Sequence, residues 1–246
     1  MKRSFLALLF VLVTSACMST SAFAEQRIYL MAGQSNMMGF GKTHYLPSSF
    51  RQTPNNVTFY YQGRPRKLAQ YSHFGPEVSF AQYVARAFPN DQHIIIKFAA
   101  TGSHIQQWMP GQPLYKGMLR QLGFSIKEKD PKIAAIIWMQ GESDATTAAR
   151  AAQYGNHLRR FITSLRKDLK APNSLFIMGE INPSGVGFPM VASLQNTQRQ
   201  IRSQLRNILL TPGDGLGKIF DNTHYSAQGQ MELGKRFADA YISRAK

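Results

Sequence analysis

The sequence predicts a three-layer α/β/α sandwich around a mostly parallel central sheet. Apolar runs of strand length recur along the chain, and amphipathic stretches of helix length separate them. Glycine-containing polar clusters directly follow several of the apolar runs. In open parallel sheets that is where ligands bind.

Residues 27–31 form the first expected strand, followed by the glycine-rich turn in MAGQSNMMGFG, residues 31–41. Residues 57–61 supply a short strand. Residues 77–88 read as a helix, because Phe80, Val84 and Phe88 share one face. HIIIKFAA, residues 93–100, reads as an apolar buried strand, and residues 114–129 as a helix. IAAIIWMQ, residues 133–140, gives another buried strand. Asp144 is expected to cap a long helix to residue 170, with Tyr154, Leu158, Phe161, Leu165 and Leu169 at steps of three and four. A strand at 174–181, a helix at 191–205, a short final strand or extended segment at Ile219 and a helix at 227–244 complete the order.

Residues 1–24 read as a secretory signal peptide. Lys2 and Arg3 precede an apolar core at residues 5–13, and Ala22-Phe23-Ala24 offers a cleavage site. A single domain over 25–246 would follow, in a secreted or periplasmic protein. A lipoprotein signal at Cys17 is the weaker alternative, since Thr14 stands where leucine is usual. Cys17 is the chain's one cysteine, so the domain itself has no thiol chemistry. No second apolar run is long enough to span a membrane.

The chain carries 29 Lys and Arg against 13 Asp and Glu, a net charge of +16. Such a charge favours an anionic envelope surface or acidic glycan. The basic residues are dispersed, with Arg64-Pro65-Arg66-Lys67 the densest run, and no nucleic-acid motif is present. The histidine spacings match no zinc motif, and no cofactor or metal is implied.

Four clusters are expected on one rim of the sheet. Ser35 follows the first strand, Gly102 follows the isoleucine strand, and Gln140 ends the next. Asp221 and His224 follow Ile219. These residue types suit acyl transfer: Ser35 as nucleophile, His224 as general base and Asp221 orienting the imidazole. The N–H groups of Ser35 and Gly102 and the Gln140 side-chain amide would bind the oxyanion. The competing reading makes Ser35 a helix cap. Asp214 is a rival partner for His224, ranked lower because its ten-residue separation demands a loop. Glu142 reads as a structural carboxylate accepting N–H groups from the GQSN turn, with a second acid near His224 as the alternative.

GQSNMMG, FGPE, WMQGESD and DNTHYS together resemble the signature blocks of the sialate O-acetylesterase-like group. That group includes carbohydrate esterase family six, whose acetylxylan esterases belong to the SGNH hydrolase superfamily. The resemblance spans residues 28–234. It implies a flavodoxin-like SGNH sandwich and a serine esterase removing O-acetyl groups from carbohydrate through an acyl-enzyme. It carries the catalytic roles to Ser35, Asp221 and His224, and the oxyanion roles to Gly102 and Gln140. Gln34, Asn36 and Glu142 would support them. Thr101-Gly102-Ser103 departs from the family's usual Gly-Gly-Thr or Gly-Gly-Ser, losing the first glycine. His104 and Trp108 are possible substrate contacts, Trp108 as a sugar-stacking wall, and Met37 and Met38 could touch the acyl group. His93, His157 and Trp138 read as structural. Gly75-Pro76-Glu77 reads as a turn and helix start that, in the family, helps to hold the active-site loop. Two other readings stand beside this one: a non-catalytic basic envelope protein that binds acidic glycan, and an esterase acting on lipid or peptidoglycan.

Overall fold

The structure is a computed structural model that describes residues 25–128 and 131–245. The expected leader and Cys17 lie outside the described residues. Among the described residues, seven strands form the main sheet in the order β4-β3-β6-β1-β7-β8-β9. They are β1 (Gln26–Gly33), β3 (Val57–Tyr61), β4 (Arg64–Arg66), β6 (Gln92–Ala99), β7 (Ile133–Met139), β8 (Leu175–Gly179) and β9 (Ile208–Thr211). Every pairing is parallel except that of β3 with the edge strand β4. A small antiparallel ribbon joins β2 (Gly41–Lys42) to β5 (His73–Phe74).

Strand β1 sits mid-sheet with both faces covered, and Ile28, Tyr29, Leu30, Met31 and Ala32 are fully buried. On one face, α3 (Glu77–Ala87) and α7 (Ala227–Ala245) pack against each other. Tyr29 meets Phe80 and Tyr241 edge-on there, each at 5.0 Å. The other face carries α4 (Pro113–Ser125), α5 (Ala148–Asp168) and α6 (Val191–Gln204). Its centre is Phe161, 4.5 Å from Trp138. Two short helices, α1 (Ser35–Met38) and α2 (Ser48–Arg51), complete the set. Among the described residues, no helix is long and apolar enough to cross a membrane.

The chain builds outward from β1 to β3, returns through β6, then crosses to β7, β8 and β9. The direction reverses at β1, which is where a doubly wound sheet opens a crevice. The carboxyl ends of three strands are level there, with Gly33 in register with both Ala99 and Met139. Ser35, Gly102 and Gln140 follow these three ends within a few residues.

Three expectations need correction. The long helix begins at Ala148 and is capped by Thr147, whose side chain accepts from the Arg150 N–H. Asp144 lies earlier, in a 3-10 turn over Glu142–Thr146. The last strand of the sheet is Ile208–Thr211, a four-residue run too short to stand out by periodicity. Ile219 joins no sheet: Lys218 and Tyr225 form an isolated bridge, and the Ile219 N–H donates to His224 O at 2.9 Å. Residues 93–100 are not wholly apolar in role either, since Lys97 is buried with its charge.

Gly33 sits at φ +152°, and a Cβ there would lie 1.9 Å from Met139 O. Gly33→Ala must therefore part β1 from β7 at the mouth of the crevice. We expect a loss of about 3 kcal/mol or more in urea unfolding, with an unchanged midpoint as the contrary result.

Candidate active site

Ser35 is the first residue of α1 and is 2% exposed. Gln34 occupies the cap position and makes no side-chain cap, so the cap reading of Ser35 does not describe this turn. As the first helical residue, Ser35 has an N–H without an intrahelical acceptor. Gly102 is exposed at φ +70°, with open space where a Cβ would stand. Its N–H donates to no protein group among the described residues.

Asn36 ties the neighbouring blocks together. Its Nδ2 donates to Glu142 Oε1 at 2.6 Å and to Thr223 O at 3.1 Å. Its Oδ1 accepts from the Tyr225 N–H at 3.0 Å. The last two bonds bracket His224, so the residue beside Ser35 holds the histidine loop on both sides. Glu142 is sealed at 1% exposure. Burial raises its pKa, against the opposing bonds from Asn36 and its own N–H. Its partner in the GQSN turn is thus a side-chain amide, where backbone N–H groups were expected.

The DxxH turn is internally braced. Asp221 Oδ1 accepts from the N–H groups of Thr223 and His224, both at 2.9 Å, and Oδ2 lies 2.6 Å from His224 Nδ1. Partial burial pushes the Asp221 carboxyl up, but the bonds from His224 and the two N–H groups outweigh it and hold the pKa below its ordinary value. A proton on Nδ1 facing Asp221 leaves Nε2 as an acceptor. Asp214 takes no part in this pair; its carbonyl accepts from Arg236. The His224 ring stacks on Phe40 at 4.0 Å, a contact that sequence patterning did not single out. Ser35 Oγ and His224 Nε2 share no hydrogen bond in this arrangement; such bonds often tighten only with substrate in place.

The Gln140 side chain departs from expectation. It is fully buried, and its Nε2 is directed to Asp144 Oδ2 at 2.6 Å, Ser103 O at 3.1 Å and Gln34 Oε1 at 3.3 Å. An amide so engaged has no hydrogen left for an oxyanion. Gln34 is arranged the other way round. Its Oε1 accepts from the Gly141 and Ser143 N–H groups at 3.1 and 3.4 Å, as well as from Gln140. Its Nε2 has no acceptor among the described residues and is not sealed off. Asp144, 2% exposed, also accepts from the Ile105 N–H at 2.9 Å, and burial pushes its pKa up to about 6.

A buried ion pair holds the far end of α1. Lys97 Nζ lies 2.8 Å from Glu77 Oε2 and donates to Met38 O at 2.7 Å. Glu77 Oε1 accepts from the Gly75 N–H. The FGPE block thus braces the turn after Ser35 through a lysine hidden in an apolar run. The proposed contacts at Trp108 and Met37 are corrected, because both residues are fully buried. Trp108 donates Nε1–H to Ser103 Oγ and packs edge-on against Trp138. Met38 is partly exposed and receives the Thr101 hydroxyl on its sulfur. His104 is half-buried; burial, then the charges of Arg150 and His157, lower its pKa. Among the described residues, no three His, Cys, Asp or Glu are grouped to hold a metal ion.

The sequence pattern of a family described as carbohydrate esterase, sialic acid-specific acetylesterase matches residues 25–243. A probable carbohydrate esterase of Arabidopsis thaliana is 29% identical, over 91% of this chain and 93% of its own. The X-ray structure of that Arabidopsis protein superposes with a TM-score of 0.78 at 26% identity, covering 89% of this chain and 98% of the other. The crystal structure of NanS is similar in fold at a TM-score of 0.71 and 15% identity, covering 89% and 97% of the two chains. XAC1771, a carbohydrate acetylesterase from Xanthomonas citri, gives 0.66 at 20% identity, over 87% of this chain and 55% of that one.

Two outcomes are expected. Asn36→Ala leaves Glu142 Oε1 and the Tyr225 N–H without their partner and should cost about 3 kcal/mol in urea unfolding; wild-type stability would contradict the clamp. Asp144 protonates near pH 6 when folded against 3.8 as its ordinary value. Between these values the folded chain holds a proton that the unfolded chain has released, so stability falls as pH rises, by about 3 kcal/mol in all. Asp144→Asn keeps an acceptor oxygen and should remove that fall. Parallel stability curves for variant and wild type from pH 4 to 7 would refute it.

Proposed function

The chain belongs to the carbohydrate esterase, sialic acid-specific acetylesterase family and is a carbohydrate O-acetylesterase of the SGNH type, and from that premise we propose that it works through an acyl-enzyme on Ser35. The observation that carries this reading is the pair of Asn36 bonds that hold His224 beside the Ser35 turn. His224 Nε2 takes the Ser35 proton as Oγ attacks the acetyl carbonyl carbon. The tetrahedral oxyanion is bound by the N–H groups of Ser35 and Gly102 and by Gln34 Nε2, which takes the donor role first expected of Gln140. The intermediate collapses, the C–O bond to the sugar breaks, and His224 returns its proton to the departing sugar oxygen. Water then gives a proton to His224 and adds to the acyl carbon, releasing acetate and restoring Ser35.

Asp221 is held ionised below the ordinary carboxylate range, so it can stabilise the imidazolium in both steps. Residues 1–24 have the pattern of an export leader, which would bring the enzyme to acetylated glycans outside the cytoplasm.

Hydrolysis of p-nitrophenyl acetate tests the assignment. Ser35→Ala should lower kcat by about 10³-fold or more. Gln34→Glu keeps the oxygen that Gly141, Ser143 and Gln140 hold, and exchanges the amide donor for a carboxylate oxygen that also brings negative charge to the oxyanion. It should lower kcat by about 10²–10³-fold. Full turnover by Ser35→Ala would overturn the acyl-enzyme, and an undiminished rate in Gln34→Glu would take Gln34 out of the oxyanion site.

A further inference from the structure

A cavity of about 340 Å³ opens beside the turn that follows Ser35. Its volume falls within the roughly 300–1,000 Å³ of small-molecule sites. Met38, Gly39 and Phe40 form one wall. Tyr61 and Tyr71 form the other, meeting edge-on at 6.0 Å. Its lining also holds the Lys97–Glu77 ion pair, whose side chains are 4% and 5% exposed. Lys97 stands opposite Tyr61 in the β3–β6 register, with Nζ 5.3 Å from that ring.

We infer that this cavity is a carbohydrate subsite that takes a pyranose ring of the acetylated substrate; the inference rests on the esterase reading above. A pyranose has a C–H face that packs on an aromatic ring and a rim of hydroxyls that need polar partners. The cavity offers both. Tyr71, 43% exposed, is placed to cover the C–H face. Lys97 uses two of its three hydrogens on Met38 O and Glu77. The remaining Lys97 hydrogen is left to serve a hydroxyl group, whereas Glu77 Oε2 is sealed and Oε1 already accepts from the Gly75 N–H. Phe40 ties the cavity to the reaction, because its ring both lines the cavity and stacks on His224.

A larger cavity of about 620 Å³ lies on another side of Phe40, against Pro47, Ile219, Phe220 and Met231. Its lining includes Lys42, His73 and Ser226, but it holds no buried ion pair to meet a sugar's hydroxyls. The smaller cavity is therefore the better match to carbohydrate.

Tyr71→Ala tests the subsite without disturbing the turn, since Thr43 bonds to the Tyr71 backbone oxygen. On an O-acetylated xylo-oligosaccharide, KM should rise about tenfold with kcat unchanged. Turnover of p-nitrophenyl acetate should stay at the wild-type level, and Tyr71→Phe should restore the wild-type KM. An unchanged KM in Tyr71→Ala, or an equal loss on both esters, would overturn the subsite. Should the wild type hydrolyse neither ester, the esterase reading fails by itself. Calorimetry with the deacetylated xylo-oligosaccharide then decides the subsite: weaker binding by Tyr71→Ala supports it, while equal or absent binding refutes it.

Discussion

One saturated side-chain amide organises this molecule's working end. Asn36 has two hydrogens and one oxygen to offer, and all are used on groups from two distant segments. Glu142 is too deeply buried to stay without a partner, and the backbone beside His224 must meet its own hydrogen-bonding needs. Asn36 serves Glu142 Oε1 and both backbone groups beside His224. The positions of the serine, the histidine loop and the QGE turn therefore follow from a single residue. A shorter side chain would leave a buried carboxylate exposed to its full desolvation penalty.

A second layer fixes the amides behind the site. Asp144 pulls on Gln140, Gln140 and two N–H groups hold the oxygen of Gln34, and the Gln34 nitrogen is left without an acceptor among the described residues. The direction of one amide thus depends on a buried carboxylate two contacts away. Lys97 and Glu77 do the corresponding work at the other end of α1. The Ser35 turn is clamped at its start by amides and at its end by a buried ion pair. Because breaking one member of such a pair leaves an unmatched charge, both partners must be kept together.

Much of this is legible in the sequence itself. The apolar runs fell where β1, β3, β6, β7 and β8 lie, because buried parallel strands have no polar face to interrupt the pattern. β9 escaped notice at four residues, and β4 lacks any apolar signal. Ser35, Asn36, Gly102, Glu142, Asp221 and His224 do come to one rim. Periodicity reports burial but not orientation, so it could not say that Gln140 turns inward while Gln34 keeps a free nitrogen. Lys97 was hidden by its apolar neighbours, although a lone lysine inside an isoleucine-rich strand is itself a sign of a buried partner. Trp108 followed the glycine loop in sequence, but the 3-10 turn after Ser103 carries it into the core.

The span of the Asn36–Tyr225 bond has a bearing on how the protein comes into being. Its two ends are 189 residues apart. Everything between them must be made, and most of it packed, before that bond can close. A nascent chain could therefore complete its sheet while its histidine turn was still unmade. Closing the Asn36 clamp thus joins the turn after β1 to a segment that follows β9, a contact of high sequence separation and among the costlier ones for the fold to form.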